Sequence, residues 1–328
     1  TTVMRMGKHV YCEKPLAHNP WECRQIAKVA KETGVATQLG IHGHSESGIR
    51  MVCEWVWDGA IGQVREVHGW SRSPRWRKEL GRPAETPPVP AGFNWDLWLG
   101  PREFRPYHPA YAPYVWRDWW AFGTGSLGNL AVHNLDGAVW ALNLVHPTSV
   151  EAVTTGGVDS ESSGFGGMYT FRFGVRGDLP PVKMTWYDGG LRPPFPEEVD
   201  SDDLRQRLGD GGDGMLLVGE KGYITTASNC RAPRLLPLDL HKSYKRPDPT
   251  IPRVKGHHAD WLSACKGGTP ASANFEYGAR LTELILLGNV ALRTGKRIQW
   301  DPVAMRATNA PEADAFIREE CRKGWEIV

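Results

Sequence analysis

The sequence predicts an α/β plus α+β chain, in which a short parallel unit precedes a larger antiparallel sheet backed by helices. Three observations predict it. An apolar strand pattern at His9-Val10-Tyr11, an amphipathic stretch and a second apolar run, Val35 to Gly40, follow one another within the span of a βαβ unit. Between about Val150 and Ile224 come alternating segments, including Gly167 to Phe173 and Val182 to Tyr187, punctuated by Gly, Pro and Asp. After that meander the chain reads as mostly helical.

Taken in order, Thr1 to Lys8 read as the last turns of a helix closed by Gly7. The chain is thus expected to open inside an element, with no initiator Met and no signal peptide. Asn19 or Pro20 opens the next helix, Ile26, Val29 and Ala30 give it an apolar stripe, and Gly34 ends it. A helix from about Gly48 to Asp58 leads to a strand over Gly62 to Trp70, whose charged neighbours imply one solvated face. Residues 73–118 concentrate Pro and Trp, and a loop this long reads as a lid or binding surface. Gly123-Thr124-Gly125-Ser126-Leu127-Gly128 opens a long helix through Leu144. Further helices are expected over Gly256 to Lys266, Tyr277 to Thr294 and Ala310 to Lys323.

Bulk composition narrows the function classes. With 41% hydrophobic and 23% charged residues and a net charge of +2, the 328-residue chain is ordinary for a globular protein. The charge gives no electrostatic case for nucleic acid or an anionic membrane surface, and no apolar run approaches a membrane span. The six cysteines show no CxxC pair and no zinc-ligand spacing, so free thiols are expected and no metal. The 15 Trp are unusual; core packing accounts for most, but a cluster in loops suits stacking on flat sugar rings.

Two features carry chemistry. Glu13-Lys14-Pro15 closes the first strand, placing an ammonium and a carboxylate at the carboxyl edge of a parallel sheet, where ligands bind in open α/β folds. On the long helix, Asn129, His133 and Asp136 recur at i, i+4 and i+7 and would share one face, with His133 able to act as a general base. The Gly123 to Gly128 run mimics a dinucleotide fingerprint in spacing. It follows a Trp-rich loop rather than a strand, so it reads as the opening of the substrate site.

The combination resembles the Gfo/Idh/MocA family of nicotinamide-dependent sugar and polyol oxidoreductases. The resemblance runs through Gly7-Lys8-His9-Val10-Tyr11-Cys12-Glu13-Lys14-Pro15-Leu16, Trp116-Arg117, Gly123 to Asn129 with His133 and Asp136, Val218-Gly219-Glu220-Lys221-Gly222 and Trp300-Asp301. More narrowly, Gln38-Leu39-Gly40, Gly43-His44-Ser45, Trp95 to Pro101, Tyr107 to Tyr111 and Tyr187-Asp188-Gly189-Gly190 look like the bacterial branch often exported by the twin-arginine route and related to NAD-dependent glycosidases. The resemblance implies that residues 1–44 are the C-terminal part of a dinucleotide-binding Rossmann domain, whose first half with its Gly-rich turn lies outside this chain. Residues 45–328 would then form a substrate and oligomerisation domain with an open-faced sheet.

By the same resemblance, Lys14 lies by the reacting hydroxyl and His133 is the acid/base, with Asn129 and Asp136 as its helix partners. Glu13, Lys14, Pro15, His42, Trp116 and Arg117 would contact the cofactor, NAD with NADP left open, and Tyr107, His108 and Tyr111 are candidate walls for a carbohydrate. Two positions depart from the family: Asn129 stands where an Asp is common, and Ile41-His42 replaces an Asn-containing dipeptide, with His42 or His44 as substitutes. The implied activity is oxidation of a sugar or glycoside hydroxyl. Glycoside hydrolysis through a transient keto-sugar and a non-catalytic carbohydrate-binding role are the alternatives. A homodimer or homotetramer is expected. A periplasmic or secreted location follows from the branch, with a cytoplasmic one left open.

Overall fold

The computed structural model describes residues 1–73 and 81–327. After α1 (Thr2–Arg5), strand β1 (Val10–Cys12) pairs in parallel with β2 (Thr37–Leu39), and α2 (Pro20–Thr33) joins them. Local chemistry sets both ends of α2. The Asn19 side chain accepts from the Glu22 amide, Pro20 stands in the first turn, and Gly34 closes the helix at φ 63°. A 3₁₀ turn, His42–Ser45, and α3 (Ser47–Trp57) then lead to β3 (Val64–Trp70).

The aromatic-rich segment that follows contains α4 (Trp95–Leu99) and a 3₁₀ turn at Val115–Asp118. Next come a π-helical turn, Leu127–Ala131, the short helix α5 (Val132–Asn134) and α6 (Asp136–Ala141). Strands β4 (Ser149–Thr154), β5 (Gly167–Phe173), β6 (Val182–Tyr187), β7 (Gly214–Gly219), β8 (Gly222–Thr226) and β9 (Arg234–Leu236) build the large sheet. Helices α7 (Leu238–Ser243), α8 (His257–Cys265) and α9 (Phe275–Thr294) precede β10 (Ile298–Asp301), β11 (Arg306–Ala307) and the one-turn α10 (Asp314–Ile317).

The second sheet has nine strands in the order β11-β10-β4-β5-β6-β3-β7-β8-β9. It departs from the expected pure meander at one place. β3 is inserted between β6 and β7 and runs parallel to β6, with Trp70 beside Tyr187. A parallel neighbour needs a long crossover, and residues 71–181, which carry the aromatic segment and the broken helix, supply it. The close approach is permitted by Gly69, where a Cβ would come within 2.5 Å of Leu135 Cδ2.

Strand alternation splits the sheet into two faces. Val67, Phe171, Met184, Trp186, Met215 and Leu217 point into the main core, which also takes in Leu39 and most of α9. The other face presents Glu66, His68, Thr170 and Lys183, with exposed Met168 and Val153 and a small cluster of Trp70, Tyr187 and Leu216. Trp95, Leu99, Tyr111 and Trp119 form a separate aromatic core within the aromatic-rich segment and the turn after it.

Two expected helices are shorter than the sequence suggested. The one from Gly125 to Leu144 is broken by the π turn and again at Leu135. The final helix ends at Ile317, because the chain turns extended at Arg318 to deliver Glu319 into a part-buried cluster of Arg102, Arg293 and His18. An ion cluster of that kind requires the carboxylate inside, which a solvent-facing continuation of the helix would not provide.

Candidate functional site

Lys14 follows β1 at the carboxyl edge of the two-stranded sheet, and its Nζ donates to both the backbone oxygen and the side-chain Oδ1 of Asn129, each at 2.6 Å. Burial and the neighbouring Arg117 guanidinium hold the Lys14 pKa down to about 8, against the pull of Glu13. Asn129 is in the π-helical turn, a local irregularity typical of functional positions. Gly128 makes that turn possible, since a Cβ there would meet Thr124 Oγ1 at 2.1 Å.

His133 stands one turn further on. Burial, then the charge of Lys14 and then that of His42, push its pKa down to about 3, so the ring is neutral at physiological pH. Its Nδ1 is buried and has no hydrogen-bond partner among the described residues. A buried nitrogen without a partner, beside an ammonium, is an unmet acceptor or donor awaiting a ligand or water.

The structure brings Lys14, Asn129 and His133 together, but it turns Asp136 away. His44 Nδ1 donates to the Asp136 carboxylate at 2.9 and 3.1 Å, and the Tyr277 hydroxyl also donates to it. Extra residues in the π turn and the break at Leu135 rotate the helix. The i, i+4, i+7 alignment expected of a straight helix is therefore lost. His44 is buried and stacked on Trp140, with ring centroids 4.2 Å apart, so it supports Asp136 rather than the sheet edge.

His42 does reach that edge. Its Nε2 is 3.2 Å from the Tyr11 hydroxyl and 3.9 Å from a Glu13 oxygen, and its ring lies 4.8 Å from His257 and 5.3 Å from His258. Burial together with Glu13 pushes the Tyr11 phenol up to about 12. His257 is fixed by Leu39 O, to which its Nε2 donates at 2.8 Å, and by Ser45, whose hydroxyl donates to Nδ1. Sequence reasoning missed Tyr11, His257 and His258. The adjacent His pair opening α8 was the only signal, and it lies more than two hundred residues from Glu13 along the chain.

Glu13 is exposed and packs against Gly40, where a Cβ would come within 2.5 Å of its Oε2. Pro15 continues the chain toward buried Leu16. The Arg117 guanidinium lies over the rings of Tyr114 and Trp116, at 4.4 and 4.7 Å, and donates to Tyr114 O. Of the expected wall residues, Tyr111 is 2% exposed and packs in the aromatic core between Trp95 and Trp119, so it stabilises the lid instead of lining a cleft. Tyr107 packs on Phe93 and Trp95, and His108 Nδ1 accepts from the Ala110 amide.

A cleft of about 470 Å³ opens beside Asn129, lined by Ser71, Arg72, Ser73, Tyr114, Leu130 and Asp213. A second hollow, about 510 Å³, lies near His9 and Thr37 at the amino ends of β1 and β2, the opposite edge from Lys14. Among the described residues no group of three or more His, Cys, Asp or Glu is placed to hold a metal ion, and no helix is long and apolar enough to cross a membrane.

A parallel α/β edge carrying a part-buried Lys, beside a helical segment that supplies a His and packs on an open-faced sheet, matches the two-part scaffold of dinucleotide-dependent oxidoreductases. The comparisons agree. Residues 1–41 match the model of the oxidoreductase family's NAD-binding Rossmann fold, and residues 58–164 match that of its C-terminal alpha/beta domain. Both matched regions are those of the Gfo/Idh/MocA oxidoreductase family.

It is similar to the 2,7-anhydro-N-acetylneuraminate hydratase of Escherichia coli K12, at 31% identity over 78 residues, 22% of this chain and 21% of that protein. The aligned stretch is thus only about a fifth of that relative's length. Among solved structures it shares the fold of the WlbA dehydrogenase of Bordetella pertussis, described in complex with NADH and UDP-GlcNAcA. The TM-score is 0.56 at 16% identity, over 92% of this chain and 74% of that one. It also shares the fold of the aldose-aldose oxidoreductase of Caulobacter crescentus, with TM-score 0.52 at 17% identity over 90% and 73% of the two chains.

Proposed function

We propose that the protein is an NAD(P)-dependent oxidoreductase acting on a hydroxyl of a sugar or glycoside, with Lys14 and His133 at the reacting centre. The observation that carries this reading is the Lys14–Asn129–His133 constellation at the carboxyl edge of the β1–β2 sheet, with an unpartnered buried nitrogen on His133. The residues present fit a nicotinamide, since a cation, a neutral imidazole and the edge residues Glu13, Pro15 and His42 converge where such a ring binds in this scaffold. When bound, the nicotinamide supplies a two-electron hydride acceptor.

The chain's own residues do the rest. The Lys14 ammonium stabilises the alkoxide oxygen that forms as the carbinol C–H bond breaks. Neutral His133 takes the hydroxyl proton. Its low pKa means that the imidazolium does not persist, so the proton passes on, with solvent-exposed His42, whose charge acts on His133, as the receiving ring. Asn129 anchors the ammonium without neutralising it. Asp136, held by His44 and Tyr277, sets the helix that carries His133.

The test is Lys14→Met in the full-length protein, scored by NADH formation with a panel of sugars. Loss of one charge-stabilising donor of this kind lowers turnover by about 10²–10³. A variant with wild-type turnover would remove Lys14 from the mechanism. A second reading keeps the same residues but ends without net oxidation, as the name of the hydratase relative suggests. Release of the leaving group from an aryl glycoside with no change in bulk NADH favours it. The partly uncovered sheet face, with Val153 57% exposed, supports self-association through that surface.

A further inference from the structure

A third hollow, of about 320 Å³, is lined by His18, Trp98, Leu99, Gly100, Pro101, Arg102, Trp116, Ala121 and Phe122. We propose that this hollow is a subsite for a second, uncharged pyranose ring, so that the substrate is a disaccharide or glycoside spanning this hollow and the cleft beside Asn129. The inference rests on the sugar-oxidoreductase reading and adds to it which class of sugar is bound.

Several observations point there. The lid divides its aromatic residues in two. Trp95 and Trp119 are buried in the aromatic core, whereas Trp98, Trp116 and Phe122 stay partly exposed and face the hollow. Trp98 is a rigid wall, stacked on Trp95 with centroids 4.9 Å apart and planes 13° off parallel, and in edge contact with Phe122 at 4.5 Å. Flat apolar faces of this kind suit the C–H face of a pyranose, and the pocket's size falls at the small end of the roughly 300–1,000 Å³ typical of ligand sites.

His18 supplies the polar partner. Its Nδ1 is 3.0 Å from Glu319 in an ion-pair contact, and its buried Nε2 has no hydrogen-bond partner among the described residues, nor does Nδ1 make an aligned one. A sugar hydroxyl, which both donates and accepts, can satisfy Nε2. The charge on this wall also selects the ligand. Arg102, the cation lining the hollow, is already paired with Glu319 at 2.8 Å and Glu22 at 3.6 Å, so an uncharged ring is a better fit there than a phosphate.

Arg117 joins the two pockets. It lies over Trp116, a wall of the hollow, and over Tyr114, which lines the cleft beside Asn129. A two-ring substrate with its reacting ring near Lys14 would pass its linkage by that guanidinium.

The experiment is calorimetric titration of the protein with cellobiose, maltose and lactose beside glucose and galactose, repeated on Trp98→Leu and Trp98→Phe. At least one disaccharide is expected to bind about five- to tenfold tighter than its component monosaccharide, the scale of one stacking contact. Trp98→Leu should abolish that gain, Trp98→Phe should keep part of it, and monosaccharide binding should be unchanged in both, which shows that the variants are folded. Equal affinities for one ring and two, or a disaccharide preference that survives Trp98→Leu, overturn the subsite and leave the function reading standing. So does a Trp98→Leu effect confined to NADH titrations, which would give the hollow to the cofactor. Failure of every sugar to bind would instead sink the function reading and the subsite with it.

Discussion

Asn129→Asp tests how this site controls its cation. In the wild type the Lys14 ammonium is bound by two oxygens of an uncharged residue at 2.6 Å, and burial together with Arg117 holds its pKa to about 8. An aspartate at that spot places a full negative charge against Nζ. Two unit charges at that separation attract by about 6 kcal/mol at an effective dielectric constant of about 20, which is an upper bound. Adjacent opposite charges in proteins move a pKa by about 1–3 units, or about 1.4–4 kcal/mol. The Lys14 value should therefore rise from about 8 to about 9–11.

Cε-¹³C-lysine NMR reads that titration directly, with Lys14→Arg identifying the resonance. In turnover assays on the full-length protein, activity that needs the ammonium falls as pH rises through about 8 in the wild type, and the variant's alkaline limb lies about 1–3 units higher. Stability carries the same sign. A lysine whose native pKa is depressed binds fewer protons in the native than in the unfolded state between about 8 and 10.5, so wild-type stability rises with pH across that window. The rise should shrink in Asn129→Asp. A wild-type Lys14 that titrates at the ordinary lysine value, or one that the substitution leaves unmoved, would refute the reasoning.

Glu319→Gln leaves Arg102 and Arg293 without their buried carboxylate and should cost about 3–5 kcal/mol in chemical denaturation. Because Glu319 titrates at about 2, its contribution is present above the ordinary glutamate range and is lost as pH falls toward about 2; the variant should lack that acid-side slope. Tyr277→Phe removes one donor from buried Asp136 and should cost about 1–3 kcal/mol of stability while leaving the Lys14 pKa where it is. Gly69→Ala forces a methyl against Leu135 and should cost about 1–3 kcal/mol, measured as a lowered denaturation midpoint. Light scattering should give a mass above that of a monomer, and a monomer mass would count against self-association through the open face.

Much of the site was legible because it is local. Glu13-Lys14-Pro15 could be placed at a strand end from the few residues around it, as could the start of α2 from Asn19-Pro20 and its end from Gly34. His133 and Asn129 were readable as neighbours on one helical segment. The misplacements were all non-local. Asp136 was assigned to His133 by assuming an uninterrupted helix, yet its partners are His44, ninety-two residues away, and Tyr277. Tyr111 was read as a wall because it lies in the Trp/Tyr-rich loops, and it packs into an aromatic core that forms only when α4 and Trp119 meet.

The sequence by itself determined the class of scaffold and the residue types at its reacting edge, since periodicity, caps and short motifs act over a few residues. Only the tertiary structure decided which of those residues share a site. The π turn depends on the close contact of Gly128 with Thr124, and the packing of the helical segment at Leu135 on β3 depends on the space that Gly69 leaves. The pairing of Lys14 with Asn129 joins groups 115 residues apart. Each is a contact between distant segments, and its energy exists only after the chain has closed around it.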